Sequence, residues 1–226
     1  MTGDTELQPS AGILSRPAVP DRTAQARLIV VVRAADAADY DRVVAVLLEA
    51  GIRSIELTLT TPGTIERLPK LLDRFGDVAD IGVGTVTDSR HLAAAIDAGA
   101  HYLVTPITDV ALVSAANVAG VPIIPGGLTP TELFAAWQAG ATAVKVFPAN
   151  QVGPDYVRDL RGPFPDIAVV PSGGVDLRNA LAWLAAGATA VSVGGPLLGD
   201  AVRGGDLAAL RERAATFVAA CAEFAA

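Results

Sequence analysis

From Asp21 onward the chain switches repeatedly between two spacings of apolar and polar positions. Short β-branched runs, whose side chains alternate between two faces, lie at 28–32 (LIVVV), 54–58 (SIELT), 81–84 (IGVG), 102–105 (YLVT), 122–124 (PII), 143–147 (AVKVF), 167–170 (IAVV) and 190–193 (AVSV). Ala- and Leu-rich stretches with helical apolar spacing separate them. An Ala-Gly pair closes a helical pattern just before a strand at Gly51, Gly99, Gly120, Gly140 and Gly187, where glycine can take the left-handed conformation that ends a helix. These joins recur at one or two multiples of about 20 to 24 residues, the length of a compact strand-plus-helix unit. Eight such units predict an α/β fold, a (β/α)8 TIM barrel forming a single domain over residues 21–226. An open doubly wound sheet would show a similar period, but the first strand runs into VVRAADAAD rather than a GxGxxG turn. Residues 1–20 carry Gly, Ser and three prolines without either period and predict a flexible N-terminal lead-in.

Composition narrows the function classes. A chain of 226 residues that is 51% hydrophobic can bury one substantial core. A formal charge of −7 and a pI near 4.8 argue against nucleic-acid or anionic-membrane partners, which need clustered Lys and Arg, and favour a small soluble substrate. The single cysteine, Cys221, allows no intrachain disulfide and reads as a buried helix thiol. The start is acidic at Asp4 and Glu6, and no apolar run approaches the ~18 residues of a membrane span, which predicts a cytoplasmic protein. His91 and His101 are the only histidines and fall in different elements, so a site built on paired imidazoles is not expected. A carboxylate-bound Mg²⁺ stays open.

In a barrel the active site lies at the C-terminal strand ends, so polar residues that interrupt apolar runs there carry the candidate chemistry. These are Arg33, Glu56, Thr58, Thr85, Thr105, Lys145, Ser172 and the glycines after the seventh and eighth strands. Lysine is almost absent, with Lys70 and Lys145 the only two, yet Lys145 sits inside a strand pattern, sharing a face with Ala143 and Phe147. If that face lines the barrel, desolvation lowers the amine's pKa and frees it to attack a ketone. Its bland alternative is a strand-end lysine paired with a carboxylate. Lys70, in TIERLPKLLDRF, reads as a solvated helix residue. Glu56, between Ile55 and Leu57, is a costly buried carboxylate unless it shuttles protons or forms a salt bridge with Arg33 or Lys145. Arg33 offers a planar fork for a substrate carboxylate, and equally suits a surface ion pair. Paired glycines in PSGGV and VGGP, Gly173, Gly174, Gly194 and Gly195, can let a phosphate approach backbone N–H groups, or can simply serve tight turns.

The colinear series VVR, IELTLT, IGVGTVT, TP, PGGLTPTEL, VKVFPA, GPFP and PSGGV, from about Ala26 to the C-terminus, resembles the 2-keto-3-deoxy-6-phosphogluconate (KDPG) and 4-hydroxy-2-oxoglutarate aldolases. The resemblance implies a homotrimeric class I aldolase on a (β/α)8 barrel. Such an enzyme works without metal or cofactor and cleaves the phosphorylated sugar acid of the Entner-Doudoroff route to pyruvate and glyceraldehyde 3-phosphate. It further implies Lys145 as the Schiff-base lysine and Glu56 as the proton-transferring carboxylate. Arg33 and Thr85 match binders of the pyruvoyl carboxylate, Pro106 and Phe147 match pocket walls, and Ser172 matches a hydroxyl that orients the substrate. Two positions depart from the pattern: Thr60 stands where some members carry a second arginine, and Pro196 follows glycines where relatives have a serine. The galactonate-specific relatives tend to carry an aliphatic residue in place of Ser172, which favours the gluconate epimer here.

The leading expectation is therefore retro-aldol cleavage of KDPG, with the galactonate epimer or 4-hydroxy-2-oxoglutarate as alternative substrates. A non-catalytic phosphosugar-binding or assembly barrel is the alternative from another class. A barrel isomerase or decarboxylase, using Glu56 and Lys145 without covalent attachment, is a third.

Overall fold

The computed structural model describes residues 16–224, so residues 1–15 of the expected lead-in lie outside the described residues. Its strands are β1 (Leu28–Val32), β2 (Ser54–Thr58), β3 (Asp80–Gly84), β4 (Leu103–Val104), β5 (Ile123–Ile124), β6 (Gly126–Gly127), β7 (Val144–Val146), β8 (Val169–Pro171) and β9 (Val191–Val193). Each β-branched run contains a strand, and helices fill the intervals. All pairings are parallel, in the orders β5-β4-β3-β2-β1-β9 and β6-β7-β8. The five Ala-Gly joins are helix ends, with φ from 71° at Gly120 to 101° at Gly187. Side-chain caps at Asp88, Asp109, Thr129, Asp176 and Asp206 begin the helices that follow the strand ends, satisfying N–H groups that a helix start leaves bare.

The expected single, continuous eight-stranded barrel is met in part. The architecture is α/β, with a curled parallel half-barrel sheet of six strands and a second sheet of three. Pro125 divides one seam: it donates no N–H, so the run from Ile123 to Gly127 breaks into β5 and β6. The Pro125 carbonyl still accepts from the Lys145 N–H at 2.8 Å. At the other seam only an isolated bridge, Ser172 with Ser192, joins the sheets.

Burial separates an inside from an outside. The large apolar cluster packs strands against helices. A smaller one gathers Ile29, Tyr102, Val104, Ile124, Ala143, Val170 and Ala190 from both sheets. Helix Asp21–Ala26 lies at the N-terminal strand ends, where the Thr23 N–H donates to Asp80 Oδ2 at 2.7 Å. Thr23 Oγ1 lies 2.8 Å from both Asp80 Oδ2 and Ser54 Oγ, and Ser54 Oγ lies 3.1 Å from the Tyr102 hydroxyl. Just beyond the helix, the Arg27 guanidinium donates to the carbonyls of Ala188, Thr189 and Phe224. A buried polar layer thus underlies the inner cluster and leaves the opposite strand ends for chemistry.

Candidate active site

At the C-terminal strand ends a cavity of roughly 360 Å³ is lined by Arg33, Glu56, Thr85, Pro106, Lys145, Phe147 and Ser172, and by Gly173, Gly174, Gly194 and Gly195. The cavity thus brings together residues from motifs scattered along the chain, all but two of the polar strand-end candidates among them. Thr58 and Thr105, also at strand ends, are buried outside it: the Thr58 carbonyl accepts from Thr64 Oγ1 at 3.0 Å, and Thr105 Oγ1 donates to the Ile107 carbonyl.

Lys145 is central in β7, and alternation turns its side chain inward with Ala143 and Phe147. The residue is 7% exposed, and Nζ lies 4.9 Å from the Phe147 ring centroid. Burial lowers its pKa from the usual lysine value; the Glu56 charge opposes that shift and the Arg33 charge adds to it. Glu56, in β2, is 2% exposed. Burial raises its pKa, against the pull of Lys145 and Arg33. Among the described residues, no ion pair within 4.0 Å involves Glu56, Lys145 or Arg33. Glu56 Oε2 is buried without a hydrogen-bond partner. The bland salt-bridge alternative for these charges is not what the geometry holds. Each instead feels the other across a desolvated space, the arrangement that shifts pKa values at reactive sites.

The surrounding backbone is shaped for these groups. A Cβ on Gly84, two residues along β3 from Gly82, the register partner of Glu56, would overlap the Glu56 carboxyl. Thr85 follows with φ 64°, an uncommon conformation for a β-branched residue. Gly173 and Gly174 also have positive φ and turn the chain sharply after β8. Ser172 Oγ donates to Ser192 Oγ at 3.3 Å, which places a pair of buried hydroxyls in the cavity wall. A Cβ on Gly195 would meet nothing within 4 Å, so this backbone faces open space.

The cavity also includes residues the motifs did not reveal, chiefly Ser192, Val31, Val175 and Arg203. Ser192 follows from alternation once its strand is placed, but Arg203 has no sequence signal beyond its charge. Among the described residues, no three His, Cys, Asp or Glu side chains gather as a metal-binding group. A second cavity of roughly 400 Å³ lies at the opposite strand ends, beside Arg22 and Arg53. Its two arginines already donate to the carbonyls of Asp77, Leu48 and Ile52.

The model of the family "KDPG and KHG aldolase" matches residues 19–212. The 2-dehydro-3-deoxy-6-phosphogalactonate aldolase of Escherichia coli K12 is 36% identical over 155 residues, 68% of this chain and 76% of the relative. The 2-dehydro-3-deoxy-phosphogluconate aldolase of Pseudoalteromonas atlantica is 36% identical over 179 residues, 78% of this chain and 82% of that one. A structure of the Legionella pneumophila KDPG aldolase, with pyruvate captured as a covalent carbinolamine, superposes with TM-score 0.76 at 25% identity, covering 91% of this chain and 97% of the other.

Proposed function

The chain belongs to the KDPG and KHG aldolase family, and from that premise we propose that it is a class I aldolase that cleaves 2-keto-3-deoxy-6-phosphogluconate through a Schiff base on Lys145. The observation that carries this reading is the buried Lys145 amine sharing one cavity with an unpaired, buried Glu56 carboxyl. Burial depletes the ammonium and leaves amine to attack the C2 ketone; the carbinolamine then loses water to become an imine. Glu56 takes the proton of the C4 hydroxyl as the C3–C4 bond breaks. The bond's electron pair enters the iminium and gives an enamine, while C4 leaves as the aldehyde of glyceraldehyde 3-phosphate. Glu56 returns a proton to C3, and water hydrolyses the imine to release pyruvate and the free amine. The carbinolamine captured in the Legionella relative supports the covalent route.

The other assignments belong to the same proposal. Arg33 and Thr85 hold the pyruvoyl carboxylate, Pro106 and Phe147 wall the pocket, and Ser172 orients the substrate. The N–H groups of Gly173, Gly174, Gly194 and Gly195 receive the phosphate. The two sheets act as a (β/α)8 barrel closed through the Pro125 and Ser172–Ser192 seams, residues 21–226 form one catalytic unit, and the protein works in the cytoplasm as a homotrimer. Both epimer-specific relatives are 36% identical to this chain, and Ser172 favours the gluconate epimer over the galactonate one. Assaying the two epimers side by side tests that preference.

Pyruvate with borohydride tests the covalent step. The reduced pyruvyl group should appear by peptide mass spectrometry on Lys145 and not on Lys70, the only other lysine. An unmodified Lys145 overturns the mechanism.

A further inference from the structure

A cation at the cavity's glycine-rich end has no place in the mechanism above. Arg203 ends the short turn Ala201–Arg203 and lines the cavity with Gly194, Gly195 and Pro196. It is exposed, and among the described residues no ion pair within 4.0 Å involves it. Arg213, ten positions on, has a different part: its guanidinium donates to the Leu197 and Leu198 carbonyls at 2.8 and 3.0 Å and ties down that helix. Arg203 makes no such structural bond.

The backbone sharpens the contrast. Pro196 follows the two glycines and has no N–H, so this end has one backbone donor fewer than another residue would supply there. The cavity nevertheless brings two guanidiniums, Arg33 and Arg203, to one lining with a single carboxyl, Glu56, in a chain of formal charge −7. Concentrating cations in a cleft of an acidic protein attracts an anion, and a guanidinium's planar fork suits phosphate oxygens.

We propose that Arg203 is a specificity-determining residue whose guanidinium binds the phosphate of the substrate and sets the preference for phosphorylated over unphosphorylated 2-keto acids. This rests on the aldolase reading. Arg203→Gln should raise KM for 2-keto-3-deoxy-6-phosphogluconate roughly tenfold, the size of one charge-assisted hydrogen bond at an exposed site. KM for unphosphorylated 2-keto-3-deoxygluconate should change less than about twofold, and kcat should stay close to wild type on both. Arg203→Lys, which keeps the charge without the fork, should recover part of the loss.

An unchanged KM for the phosphorylated substrate, or an equal rise for both, overturns the proposal. Trapping by pyruvate and borohydride separates this failure from that of the aldolase reading, because Arg203→Gln should trap at Lys145 as fully as wild type. Should wild type itself not trap, titration with inorganic phosphate by calorimetry still decides the matter. Binding weakened by Arg203→Gln supports the assignment, and identical binding removes it.

Discussion

Glu56 and Lys145 are held against their ordinary charge preferences by burial, and the signs of the two shifts make separate predictions. Glu56 binds its proton more tightly folded than unfolded, so its stabilising contribution is full below 4.5 and is lost as pH rises through the raised folded value. Lys145 is depressed, so its contribution is full above 10.5 and is lost as pH falls through the lowered value. Glu56→Gln removes the first dependence. Urea unfolding should show the variant gaining stability relative to wild type as pH rises above 4.5, while its turnover falls by about a hundredfold or more. A flat stability difference, or full turnover, contradicts the role given to this carboxyl. Thr85 is a second test. Its φ of 64° stores about 1–3 kcal/mol in a β-branched residue, more than the roughly 0.5–1 kcal/mol of entropy that glycine loses on folding. Thr85→Gly should therefore melt no lower than wild type while raising KM. Lys145 and Glu56 were legible in sequence because each interrupts an apolar strand pattern. Arg203 was not, because an exposed arginine before two glycines breaks no pattern.

At the scale of elements, β3 shows how one strand serves both packing and chemistry. Its glycines leave room across the sheet, Gly82 for the Tyr102 ring and Gly84 for the Glu56 carboxyl. Gly82→Ala drives a methyl into a fully buried ring and should destabilise by about 1–3 kcal/mol in denaturant titrations, with kcat little changed in the folded fraction. Gly84→Ala pushes on the carboxyl instead, so its principal loss should be in kcat; the reverse pattern would mean that Glu56 is not positioned this way. Strand placement was largely readable because β-branched runs and Ala-Gly helix ends mark it locally. The extra strand β6 beyond the fifth run was not anticipated, since PIIPGG combines a short apolar stretch with residues that usually signal a turn. Gly126 and Gly127 pair with Lys145 and Val146, and that tertiary pairing makes β6 a strand despite its composition.

Across the whole molecule, the two ends of the curled sheets do different work. The N-terminal end is closed by Thr23, Ser54, Asp80 and Tyr102, with Arg27 binding the carbonyls of both the Ala188–Thr189 turn and the C-terminal Phe224. Sequence could mark this end only through its glycine joins, because the polar layer is assembled from residues 31 to 57 positions apart. No helix among the described residues is long and apolar enough to cross a membrane.

The polar layer at the N-terminal strand ends sets Lys145 in the cavity at the other ends. On the proposed Schiff-base route pyruvate stays bonded to Lys145 when the C3–C4 bond breaks, so the aldehyde fragment departs first and the keto acid follows. Inhibition by pyruvate should then compete with substrate in initial-rate plots, whereas glyceraldehyde 3-phosphate should inhibit noncompetitively. The order in which two products exit would thus be set by the one bond that the inward-turned side chain of β7 makes.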